Sequence, residues 1–113
     1  MSLFVFSILF FIYHPPILQS QSDASASSFS IHFIDVGQGD SALVQCDGHY
    51  MLIDGGSSQA SSQIYSLLQN KNISKLDIIV ASHADADHIG GLSGALNYAA
   101  ADLILCPVDV HDT

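Results

Sequence analysis

Four potential metal ligands, His83, Asp85, Asp87 and His88, fall within one short stretch, and this stretch constrains the chain more than any other feature. It follows directly on the apolar run Leu76-Asp77-Ile78-Ile79-Val80-Ala81 and leads into Ile89-Gly90-Gly91. An apolar run ending in a polar cluster reads as a buried strand that delivers a ligand loop. Imidazole nitrogen and carboxylate oxygen are the usual donors for zinc, manganese and iron at hydrolytic sites. His83 and Asp85, one residue apart, can grip one ion, and Asp87 with His88 can turn toward a second. Singly, each would read as a solvated side chain or a helix cap. Together, with two glycines behind them, they point to metal binding. A helix-loop-helix calcium loop does not fit, because that pattern needs a distal Glu and the chain contains none.

The remaining pattern is that of an α/β chain. Ile31–Val36, Ala42–Cys46 and Tyr50–Asp54 read as strands, with Asp47-Gly48 as a hairpin turn. Ser58–Asn70 reads as a helix, with Ile64, Leu67 and Leu68 on one apolar face and Ser57 or Ser58 at its start. Leu76–Ser82 reads as the next strand. Ile89–Ala100 reads as a helix through Leu92, Ala95, Leu96 and Ala99, and Asp102–Cys106 as a last strand before Pro107. No internal repeat is present.

The run from Ser82 to Leu92 resembles the signature loop of the metallo-β-lactamase superfamily, H-x-H-x-D-H. Phe33-Ile34-Asp35-Val36-Gly37-Gln38-Gly39-Asp40-Ser41 and Met51-Leu52-Ile53-Asp54-Gly55-Gly56 narrow the likeness to the hydrolase-like domain of ComEC-type competence (DNA-uptake) proteins. The likeness covers the chain from about Ile31 onward, with three motifs in order. It implies a four-layer α/β/β/α sandwich, of which this chain holds the first half. It implies that His83 and Asp85 bind one metal ion, that Asp87 and His88 bind a second, and that Asp87 also orients or deprotonates the attacking water. Asp54 matches a buried carboxylate that braces the ligand loop, and Gln38, Gly39 and Asp40 match a turn at the rim of the site.

Asp85 stands where the wider superfamily has its second His, as in the ComEC-like branch. A hard oxygen in place of nitrogen moves the preference toward manganese or magnesium, with zinc still admissible. The expected cofactor is therefore a divalent metal, manganese or zinc, with up to two ions in a complete domain. The family draws further ligands from its second half. A chain ending at Thr113 is expected to lack them, to bind metal modestly and to show no turnover alone. His111 lies too near the motif to replace them. Half a sandwich should also leave one apolar sheet face open, which favours association.

The expected activity is metal-assisted hydrolysis, of a phosphodiester if the ComEC-type likeness holds. Hydrolysis of another ester or amide is a second reading, since one fold hosts many chemistries. A truncated, non-catalytic remnant that binds metal weakly is a third. Charge argues against strong nucleic-acid binding by this half: the formal net charge is −9, with 11 Asp against Lys71 and Lys75 and no Arg.

Residues 1–26 form a separate unit. Leu3–Tyr13 is apolar except for Ser7, and His14-Pro15-Pro16 ends it. That is shorter than the roughly 20 residues of a spanning helix. A signal peptide, with Ala24-Ser25-Ala26 as cleavage pattern, competes with a membrane-segment remnant and with a core helix. The first two readings place residues 27–113 outside the cytoplasm and give the N-terminal segment export machinery or membrane as its partner. No specific protein partner is identifiable. Cys46 and Cys106 read as two buried thiols or as one disulfide.

Overall fold

The computed structural model describes residues 26–107. The N-terminal segment up to residue 25, on which the export expectation rests, and His111 lie outside the described residues. Five strands form one sheet in chain order: β1 (Phe29–Phe33), β2 (Ala42–Cys46), β3 (His49–Ile53), β4 (Lys75–Val80) and β5 (Ala100–Leu105). The first three form an antiparallel meander, whereas β3, β4 and β5 run parallel. Parallel neighbours need crossovers. The first passes through a 3-10 turn, Ser58–Ala60, and helix α1 (Ser61–Asn70). The second passes through a short helical turn, α2 (Ala86–Ile89), and helix α3 (Leu92–Tyr98).

Local chemistry explains the boundaries. Asp47 and Gly48 both adopt positive φ, 48° and 84°, the tight turn expected between β2 and β3. At the end of α1, Asn72 takes φ 56°, while its N–H donates to the Gln69 carbonyl and that of Ile73 to the Leu68 carbonyl. This is a Schellman closure with Asn in the usual Gly place. Ser57 precedes the 3-10 turn with extended backbone, but its side chain accepts no capping bond. The helix expected over 89–100 is two pieces broken at Gly90-Gly91. The first strand begins and ends earlier than expected, at Phe29 and Phe33, because Asp35 to Asp40 form the loop toward the site.

Strand register sorts the two sheet faces. Leu43, Leu52 and Ile79 are mutually paired in register, buried, and packed with Ile64 and Leu68 of α1 and Leu92 and Ala95 of α3. Both longer helices therefore cover this face. Leu52, Ile64, Leu68, Leu76 and Ile79 are fully buried, each worth about 1.5–3 kcal/mol. On the opposite face lie Ile31, Val44, Met51, Ile78 and Leu103 in one row and Phe33, Ile53, Val80 and Leu105 in the next. Phe33 is 80% exposed and Leu105 48%, so this face is open at its edges.

The thiol expectation fails. Cys46 and Cys106 are both free and exposed. Cys46 closes β2 at the hairpin end of the sheet, and Cys106 follows the end of β5, so neither reaches the helix-covered core.

Candidate metal centre

The site lies beyond the C-terminal ends of β3 and β4, where open parallel sheets commonly hold their ligands. Asp54 follows β3 and takes φ 57°. This left-handed conformation is uncommon for a residue other than Gly, though Asp tolerates it. It turns the side chain inward, toward the first residues after β4. Asp54 is only 3% exposed, and its polar groups are satisfied. Its N–H donates to the Val80 carbonyl, and its carbonyl accepts from the buried Ser41 hydroxyl.

The Asp54 carboxylate accepts three bonds. Ser82 N–H donates to Oδ1 at 2.7 Å, Ser82 Oγ to Oδ2 at 2.5 Å, and His88 Nδ1 to Oδ2 at 3.1 Å. Burial alone would raise this carboxyl, but the Ser82 and His88 bonds outweigh it and hold Asp54 below its ordinary value. Reciprocally, the bond to Asp54 raises the His88 imidazole against the opposing effect of burial, with the charges of Asp87, Asp54 and Asp40 adding.

The two imidazoles stand together, with ring centroids 3.7 Å apart and planes 46° from parallel. Each keeps its Nε2 toward a carboxylate. His83 Nε2 lies 3.7 Å from Asp85 Oδ2, and His88 Nε2 lies 3.7 Å from Asp87 Oδ1. Ligand atoms about 2 Å from a common ion stand roughly 3–3.5 Å apart, so these spacings need only a small closure around a metal. Asp54, His83 and His88 form a group whose donor atoms all lie within 4.8 Å, the one such group among the described residues. Both Asp54 oxygens accept hydrogen bonds, and its bond to His88 Nδ1 leaves Nε2 of that ring turned away from it, the arrangement of a bracing carboxylate.

Asp85 sits at the N-cap position of α2 with extended backbone, but its side chain makes no capping bond. Asp87 and His88 ride on the α2 turn and not on an open loop. Asp40 is at the rim, its Oδ2 3.9 Å from His88 Nδ1. Gln38 is exposed and makes no hydrogen bond to the described site residues. The imidazoles lie side by side, each with its own carboxylate, Asp85 beside His83 and Asp87 beside His88.

Four glycines allow the assembly to close. Gly55 N–H donates to the His88 carbonyl at 2.7 Å, and Gly91 N–H to the Gly56 carbonyl at 3.0 Å. A Cβ on Gly91 would stand 1.9 Å from the Gly55 carbonyl oxygen, and one on Gly39 would stand 1.7 Å from that of Asp87. Backbone therefore packs on backbone, fixing the His88 turn against Asp54. Ser41 and Ser82 carry site contacts that sequence reasoning did not assign. The available signal was a hydroxyl residue directly after Asp40 and directly before His83.

A family model described as metallo-beta-lactamase superfamily matches residues 34–112. Microtubule-associated protein 1A of Rattus norvegicus is 34% identical over 67 residues, covering 59% of this chain and 2% of its own. ComE operon protein 3 of Bacillus subtilis is 26% identical, covering 89% of this chain and 14% of its own. Recombination protein 2 of Haemophilus influenzae is 36% identical, covering 71% and 11%. The chain thus spans a small part of each curated relative. Among solved structures, a subclass B3 metallo-beta-lactamase from a soil metagenome library, MEM-A1, superposes with a TM-score of 0.56 at 26% identity, over 66% of this chain and 29% of that one.

Proposed function

The chain belongs to the metallo-beta-lactamase superfamily, and from that footing we propose that it supplies the ligand turn of a metal-dependent hydrolase site directed at phosphodiesters. The observation that carries this reading is the buried Asp54 carboxylate. It braces His88 directly and the start of the ligand turn through Ser82, while both Nε2 atoms face carboxylates.

His83, Asp85, Asp87 and His88 would hold the metal. The mixed nitrogen and oxygen donor set suits manganese or zinc. A divalent ion there supplies Lewis acidity, lowering the pKa of water and offsetting charge on the attacked centre. Asp87 is half-buried with its carboxylate 3.7 Å from His88 Nε2, so it could orient a water and accept its proton. Asp54 and Ser82 hold the imidazoles in place through their hydrogen bonds. The phosphodiester class rests on the likeness to ComE operon protein 3 and Recombination protein 2. The net charge of −9 argues that any nucleic acid would be gripped mainly by groups beyond this chain.

A second reading, a chain that binds one ion without turnover, is favoured by a single donor group among the described residues. Cleavage of bis(p-nitrophenyl) phosphate with manganese or zinc separates the two. Metal-dependent turnover lost in Asp87→Ala supports the hydrolase. Metal binding without turnover under either ion, the outcome the sequence leads one to expect for this chain by itself, contradicts turnover by the chain alone and supports the second reading. Placement outside the cytoplasm is proposed on the apolar segment and Ala24-Ser25-Ala26. The intact mass of exported material tests it, and a cytoplasmic product retaining Met1 contradicts it.

A further inference from the structure

Ser82 touches two site residues at once. Its Oγ lies 2.5 Å from Asp54 Oδ2 and 2.8 Å from His83 Nδ1. A hydroxyl has one proton to give and lone pairs to accept with. The ionised Asp54 carboxylate can only accept, so the Ser82 proton points to Asp54. The Ser82 oxygen must then accept from His83, which places the His83 proton on Nδ1. Imidazole in that tautomer leaves Nε2 unprotonated, and Nε2 is the atom that faces Asp85.

We propose that Ser82 is a positioning residue that passes the orienting effect of Asp54 to His83, so that one carboxylate sets the Nδ1–H tautomer of both imidazoles. Asp54 does this for His88 by direct contact and for His83 through the hydroxyl. Ser82 N–H, bonded to Asp54 Oδ1, fixes the backbone from which the relay operates. Metal-ligating histidines commonly give their second N–H to such a partner, and losing it typically costs 10–100-fold in affinity. The relay is specific to His83, since His88 reaches Asp54 without Ser82. It rests on the metal-site reading only for its purpose. The tautomer itself is a property of the metal-free chain.

The test uses the full chain as wild type, Ser82→Thr and Ser82→Ala. Long-range 1H–15N correlation of the metal-free protein, recorded above the imidazole titrations, reports which ring nitrogen of His83 carries the proton. Nδ1–H is expected in the wild type and in Ser82→Thr, whose hydroxyl is retained at an exposed position. In Ser82→Ala, His83 should shift toward Nε2–H while His88 keeps Nδ1–H. Zinc affinity should fall about 10-fold or more in Ser82→Ala and stay within about twofold in Ser82→Thr. A wild-type His83 protonated on Nε2, or a Ser82→Ala chain with unchanged tautomer or unchanged zinc affinity, would overturn the proposal. A wild type that binds no zinc strikes the metal reading alone, because the tautomer signal still decides the relay.

Discussion

Asp54 Oδ2 lies 3.1 Å from His88 Nδ1, across 34 residues of chain, and this contact joins the end of β3 to the turn after β4. Two parallel strands and two glycine pairs are arranged so that one buried carboxylate meets the second imidazole of the motif. The carboxylate gives orientation, and the imidazole keeps its other nitrogen free.

Removing that carboxylate should be costly. Asp54→Ala leaves Ser82 N–H and His88 Nδ1–H without their acceptor and keeps a left-handed backbone that Ala disfavours. Stability should fall by about 2–4 kcal/mol. Asp54→Asn, which tolerates the backbone, should lose less. Urea denaturation of the three proteins checks the order, and equal stability of Ala and wild type would contradict the brace.

Gly91→Ala should act at a distance from every ligand. Its Cβ would overlap the Gly55 carbonyl oxygen, so the turn carrying His88 must move. Stability should fall by roughly 1–3 kcal/mol. Metal affinity should weaken with it, as titration of the variant would report.

Much of the candidate site was legible because its proposed ligands are neighbours in sequence. His83, Asp85, Asp87 and His88 needed only the apolar run before them to be placed at a strand end. The Asp47-Gly48 turn was legible for the same reason. Ser82 and Ser41 were not, because a serine acquires a role only from a partner brought close by folding, here Asp54. The break between α2 and α3 was hidden because Leu92, Ala95 and Ala99 keep helical spacing past it. Its cause is the contact of Gly91 with Gly55, from another crossover. The exposure of Cys46 and Cys106 follows from where their strands end, which composition does not report.

Away from the site, the His49 imidazole should titrate above its ordinary value of 6.5. The hydrogen bond to Asp77, 3.0 Å away, is the main cause, with the charge of Asp77 adding. Asp77 is lowered in turn, first by His49 and then by the Tyr50 N–H. His49 is raised on folding, so its contribution is complete below the unfolded imidazole value and disappears as pH rises through the folded one. Asp77 is depressed, so its contribution is present above the ordinary carboxylate value of 3.8 and disappears as pH falls through the folded one. The pair is exposed and added salt should weaken it. An NMR titration should find His49 lowered toward its ordinary value in Asp77→Asn, and an unchanged midpoint would contradict the contact.

The open sheet face should make the isolated chain associate. Phe33→Ser together with Leu105→Lys should reduce concentration-dependent sedimentation without touching the helix-covered core. Identical sedimentation of variant and wild type would remove that role from the face.

Calorimetric titration of zinc and of manganese into the wild type and into a His83→Ala/His88→Ala double variant tests the central claim most directly. The account predicts saturable binding of at least one ion by the wild type and its loss in the double variant, with circular dichroism showing that both chains are folded. Equal binding by two folded chains would contradict it.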